Sequence, residues 1–150
     1  MEEVRRLRCD GRDGAPLGGS PAPRRRTKRH GRGHPVLGDE VDGSGGVVGW
    51  AAIGPWSPRG AYRRTGETSV YVEPEHRGAG IGKALLADLV ERARGLDEIH
   101  VLLARISQPN PASVAAHTAA GFRSFGVQRR CGEKLGRILD VELFDLDLDG

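Results

Sequence analysis

Between Glu67 and Gly82 the chain passes from strand-forming residues, through a proline and three spaced glycines, into a helix. Few folds accommodate such a junction. Val70, Tyr71 and Val72 are β-formers, and Pro74 ends their run because it has no N–H to give to a ladder. Gly78, Gly80 and Gly82 follow. From Ile81 onward the apolar residues recur at helical spacing: Ile81, Leu85, Leu86, Leu89, Val90 and Ala93. A glycine loop that opens a helix offers unpaired backbone N–H groups at the positive end of the helix dipole. That is a ready site for a phosphate or pyrophosphate.

Three phosphate-loop patterns compete for this stretch. The P-loop needs an earlier glycine where Arg77 stands, and a Ser or Thr where Ala84 follows Gly82-Lys83. The dinucleotide fingerprint G-x-G-x-x-G needs a different spacing from Gly78-Ala79-Gly80-Ile81-Gly82-Lys83. Q/R-x-x-G-x-G/A is filled by Arg77, Gly80 and Gly82. This third pattern resembles the coenzyme A loop of the GNAT N-acetyltransferases. A glycine-rich βα turn that binds nothing is the plain alternative for the loop taken alone.

The chain of 150 residues is long enough for one domain, or one domain and a tail. Its start does not resemble a signal peptide, and no stretch approaches the ~20 apolar residues of a membrane span. A cytoplasmic protein with no membrane partner is expected. Cys9 and Cys131 stand far apart without neighbouring histidines, which suggests neither a disulfide framework nor a metal site. The net charge of +3 is uneven: residues 1–36 carry ten Lys/Arg against four Asp/Glu, and the remainder thirteen against sixteen. Residues 1–36 hold few aliphatic side chains around the run Arg24-Arg25-Arg26-Thr27-Lys28-Arg29. Too little apolar surface is available to offset ordering, so 1–34 is expected to be a disordered basic tail and 35–150 the domain. Nucleic acid is disfavoured as a partner, because no aromatics interleave with those arginines to stack on bases.

From Pro35 the pattern becomes that of a folded domain. Val36-Leu37 and Val47–Ile53 read as strands joined through Asp42-Gly43-Ser44-Gly45-Gly46, a hairpin. Gly54 to Gly60 reads as a loop, and the central strand and glycine loop come next. The first helix is expected to stop at Gly95. Ile99–Ile106 is a nearly unbroken apolar run, which suggests a strand covered on both faces. Asn110 is a good N-cap with Pro111 at the first helical position, and Gly121 closes this second helix. Residues 122–130 and 137–148 complete a hairpin. The order is β-β-β-α-β-α-β-β: an α/β (α+β) fold with a mixed, mostly antiparallel twisted sheet flanked by helices.

The segment Asn110, Ser113, His117, Gly121, Phe122 resembles the second coenzyme A element of GNAT enzymes. Histidine at 117, Gly54-Pro55-Trp56, Ala61-Tyr62, Glu67–Val72, Val41-Asp42-Gly43 and Gly136–Val141 are similar to the phosphinothricin N-acetyltransferase branch. The resemblance implies transfer of an acetyl group from acetyl-CoA, without a metal, to the primary amine of a small molecule such as a phosphinothricin-like amino acid. It implies that Val70, Tyr71 and Val72 pair with the pantetheine arm, and that a main-chain N–H there holds the oxyanion. Arg77, Gly78, Ala79, Gly80, Ile81, Gly82 and Lys83 would form the pyrophosphate loop, and Asn110 and Ser113 would contact the cofactor. Glu67 resembles the general base, and His117 a second residue that assists proton transfer. A solvated edge carboxylate and a packed, satisfied histidine are the plain alternatives. Arg59, Arg63 and Arg64 read as surface charge, or as groups for an anionic substrate. Family members begin with a strand and helices for which residues 1–36 are unsuited. The competing expectation is therefore an N-terminally truncated, catalytically impaired remnant that binds coenzyme A. Homodimers are common in the family.

Overall fold

The computed structural model describes residues 24–30, 34–41 and 46–150, the first two stretches through their backbone pairing. Among the described residues seven strands form one sheet: β1 (Arg24–His30), β2 (His34–Val41), β3 (Gly46–Pro55), β4 (Thr65–Val72), β5 (Val101–Ser107), β6 (Arg123–Lys134) and β7 (Arg137–Asp147). Two α-helices interrupt them, α1 (Ile81–Arg94) and α2 (Pro111–Ala119). The spatial order is β1-β2-β3-β4-β5-β7-β6, antiparallel throughout except for β4 beside β5. The expected mixed, mostly antiparallel sheet with helices is what forms.

Three details differ from the sequence reading. Arg24–His30 forms strand β1, paired with β2 from Arg24↔Glu40 to His30↔His34, in a segment expected to lack regular structure. Main-chain pairing needs no apolar surface, and apolar surface was the property on which that expectation rested. Residues 1–23 of the expected tail, and positions 42–45 of the β2–β3 turn, lie outside the described residues. The second difference is in β5, which is covered on one face only. Leu102, Ala104 and Ile106 are buried while Arg105 and Ser107 are exposed. The third is that Gly54 and Pro55, read as loop, still belong to β3, and Gly60–Tyr62 makes one 3-10 turn.

The core lies between the helices and one face of the sheet. Helix α1 presents Leu85, Leu86, Leu89, Val90 and Ala93 to Ala51 and Ile53 of β3, to Leu102, Ala104 and Ile106 of β5, and to Phe144 and Leu146 of β7. Among the described residues no helix is long and apolar enough to cross a membrane. The hairpin β6–β7 turns at Leu135-Gly136, both at positive φ (52° and 73°). Helix α2 starts as its sequence suggests: the Ser113 N–H donates to Asn110 Oδ1 at 3.2 Å, and Pro111 occupies the first turn.

The feature that positions the site is a fork. Strands β4 and β5 pair at three positions only, Thr65↔Val101, Gly66↔Leu102 and Glu67↔Leu103. Beyond them the strands part, and β4 remains paired on its other side to β3 as far as Val72. At the point of parting the Thr68 hydroxyl donates to the Leu103 carbonyl at 3.2 Å, a side-chain bond standing where a ladder bond stops. The main chain of Val70–Val72 is thus left without a strand on the β5 side.

Candidate active site

A cleft of about 560 Å³ opens along this unpaired edge and ends at the glycine loop. Val70, Tyr71, Val72, Arg77, Gly78, Gly80, Ile81, Gly82 and Lys83 line it from one side, and Asn110, Ser113 and His117 of α2 from the other. Of the residues expected to hold a cofactor, Ala79 alone is not part of the lining. His76, Leu86, Ala112, Ala116 and Lys134 also line the cleft and were not singled out from the sequence. Lys134 could not be, since it reaches the site only because β6 runs back along the sheet.

The loop is built for backbone donation. Gly78 and Gly80 sit at φ +84° and +82°, a left-handed conformation that side chains resist, and a Cβ at either would meet nothing within 4 Å. The first hydrogen bond of α1 joins the Ala84 N–H to the Gly80 carbonyl, so the amides of Ile81, Gly82 and Lys83 have no intrahelical acceptor. No acidic side chain lies in that first turn. Arg77 braces the loop by donating from Nε to the Val72 carbonyl at 3.0 Å. Arg77, Lys83 and Lys134 all face a cleft whose lining contains no carboxylate. Helix dipole, free amides and basic side chains together favour an anion.

His117 is buried, with 6% of its surface exposed. Its Nδ1–H donates to the Ser113 carbonyl at 2.8 Å, and its ring meets Phe122 edge-on at 5.1 Å. The histidine is therefore both a packed, satisfied core residue and part of the cleft wall. Burial holds the imidazole below its ordinary value of 6.5, with the backbone hydrogen bond opposing more weakly. The unfolded chain then binds a proton, as pH drops below about 6.5, that the folded chain does not take up until a lower pH. Stability from this group is complete above that value and is lost on acidification through the lower folded value. Thermal unfolding followed between pH 7.5 and 5.5 is expected to show a falling midpoint, with a flatter profile for His117→Asn; parallel profiles would contradict it.

Glu67 is elsewhere. It is not part of the cleft lining, and both of its oxygens are held by one arginine. Arg105 donates from Nε to Oε1 at 2.6 Å and from Nη2 to Oε2 at 2.8 Å. This bidentate pairing raises the guanidinium above its ordinary range. Glu67 lies three residues before Val70, roughly 10 Å along the strand, on the face turned away from the helices. Arg105 was not singled out from the sequence, although it is the one charged residue of β5. Arg64 spends its guanidinium on the Asp97 carbonyl. Among the described residues no group of three or more His, Cys, Asp or Glu is placed to hold a metal ion.

A sequence model described as the acetyltransferase (GNAT) family matches residues 3–122, a span that starts well before Pro35. An L-methionine sulfoximine/L-methionine sulfone acetyltransferase of Pseudomonas aeruginosa is 42% identical over 118 residues, covering 79% of this chain and 67% of that protein. A phosphinothricin N-acetyltransferase of Streptomyces coelicolor is 39% identical over 102 residues, covering 68% of this chain and 59% of its own length. Among solved structures, a GNAT superfamily phosphinothricin acetyltransferase from Sinorhizobium meliloti in complex with acetyl-CoA superposes with a TM-score of 0.71 at 39% identity. The superposition covers 77% of this chain and 61% of that one. The chain thus spans about two thirds of these proteins' length, or somewhat less. The forked sheet, the glycine loop and the matching sequence agree: this chain belongs to the acetyltransferase (GNAT) family.

Proposed function

We propose that the chain is an N-acetyltransferase that uses acetyl-CoA as cosubstrate and acts on the primary amine of a small, phosphinothricin-like amino acid. The observation that carries the reading is the unpaired edge of Val70–Val72 running into a loop of free amides beside Arg77 and Lys83. An extended, amide-bearing arm that ends in a diphosphate needs both parts, edge pairing for the arm and amide donors for the phosphates. When bound, acetyl-CoA would supply an activated acyl thioester.

The chain's own residues supply the rest. Gly78 to Lys83 would donate to the diphosphate and Lys134 would add charge at the far wall. Main-chain N–H groups of Val70–Val72 would orient the arm and hold the developing oxyanion. Asn110 uses Oδ1 for its cap, which leaves its NH2 group for the cofactor. Glu67 would take the proton of the acceptor ammonium, directly or through one water. His117, buried and neutral, would assist proton transfer through Nε2, because Nδ1 is committed to Ser113. A cytoplasmic setting and a homodimer belong to the same reading.

Gly80→Glu tests the loop. It forces a side chain into a left-handed conformation, at a cost of roughly 1–2 kcal/mol, and brings a carboxylate to the anion site. Titration calorimetry is expected to show saturable acetyl-CoA binding that this change abolishes; binding indifferent to it would refute the loop's role. One observation favours a second reading, a remnant that binds coenzyme A without turning it over: Glu67 is already doubly hydrogen-bonded to Arg105. Thiol release across a panel of amines separates the two.

A further inference from the structure

The face of the sheet opposite the helices carries an ordered group of side chains. Glu67 pairs with Gly54 of β3, where a Cβ would meet nothing within 4 Å among the described residues, and the Glu67 side chain keeps 21% of its surface exposed. Beside it, the Arg105 guanidinium lies 5.4 Å from the centre of the Trp56 ring, and the Trp56 main-chain N–H donates to the Thr65 carbonyl at 3.2 Å. Arg105 is held on one edge by Glu67 and on one face by Trp56, with half of its side chain exposed.

A guanidinium has five N–H donors in a fixed plane. Two are given to Glu67, from Nε and Nη2. Of the remaining three, two lie side by side on the Nη1–Nη2 edge and the third is on Nη1 beside Cδ, and none meets an acceptor among the described residues. That edge has the spacing of a carboxylate, and it is immobilised before any ligand arrives. Next to it is a carboxylate of the opposite preference. An acceptor that carries an ammonium and a carboxylate on one carbon needs its two partners adjacent, and here their head groups are in hydrogen-bond contact.

We propose that Glu67 and Arg105 together recognise a zwitterion: Glu67 takes the ammonium of an α-amino acid, and the free edge of Arg105 takes its carboxylate. The inference rests on the acetyl-transfer reading and adds a specificity-determining residue to it. Arg105 need not release Glu67 to act, since the two edges of its guanidinium are separate.

The test compares L-methionine sulfone with 3-(methylsulfonyl)propan-1-amine, the same molecule without its carboxylate. Wild-type kcat/KM is expected to favour the amino acid by about 10- to 100-fold, the effect of one charge-assisted bidentate contact. Arg105→Met is expected to erase most of that ratio, chiefly through KM for the amino acid, and Arg105→Lys to restore part of it. Acetyl-CoA titration and thermal unfolding of each variant show whether it is folded. No preference in the wild type, or an equal loss on both amines in Arg105→Met, overturns the proposal and leaves Arg105 as a support for Glu67 alone. If the wild type acetylates neither these nor any other amine, the acetyl-transfer reading itself fails.

Discussion

Glu67→Gln is expected to lower turnover at neutral pH by about 10²- to 10⁴-fold, the usual contribution of a positioned general base. Glutamine keeps the length of the side chain and an oxygen for Arg105, but it cannot accept the ammonium proton. The residue lies outside the lining of the cleft proposed for the cofactor, so acetyl-CoA affinity should stay within a few-fold of wild type. That split distinguishes loss of a base from loss of a binding site. Thiol release with a saturating amine gives the first quantity and calorimetric titration of acetyl-CoA the second. Turnover that survives the substitution removes Glu67 from the base role. Loss of both together would mean that the bond to Arg105 holds the fork itself in shape.

The largest effect on stability is expected at Phe144. The ring is 2% exposed, sits on β7 between its β5 partner Ala104 and its β6 partner Ser124, and lies 6.3 Å from the His117 ring. Truncation to alanine removes the aromatic surface and leaves a hole bounded by strands that cannot collapse into it. The cost should be about 3–5 kcal/mol. Against a typical total of about 5–15 kcal/mol, Phe144→Ala should be marginally folded at 37 °C. Urea unfolding of the two proteins side by side measures it. Leu135→Ala, at a position 93% exposed in the β6–β7 turn, should shift the midpoint hardly at all. Equal effects at the two positions would contradict the packing described here.

What the sequence revealed divides along the range of the interactions. The two helices, the Asn110 cap, the glycine loop and the final hairpin are written in residues within a few positions of one another. All of them appear where the pattern puts them, except that β6 runs on to Lys134, past the expected end at 130. Strand β1 was missed because its only warrant is the ladder to β2. The reading of β5 as covered on both faces took an apolar run at face value, and Arg105 is the residue that corrects it. The Glu67–Arg105 pair joins positions 38 apart and exists only through the parallel register Glu67↔Leu103. No local rule reaches that far. Glu67 could be noted as a carboxylate at the start of a strand, but its partner could not. The cleft fared better, because the strand, loop and cap that line it were each locally encoded.

With only three rungs shared between β4 and β5, the sheet is close to two ribbons hinged at their lower end. Helix α1, packed across strands of both, is the clasp that keeps them in one plane. Anything that lies lengthwise in the opening becomes a surrogate strand, and its hydrogen bonds stitch one ribbon to the other. A ligand that lies there would hold the folded form by mass action, so the unfolding midpoint should rise with its concentration.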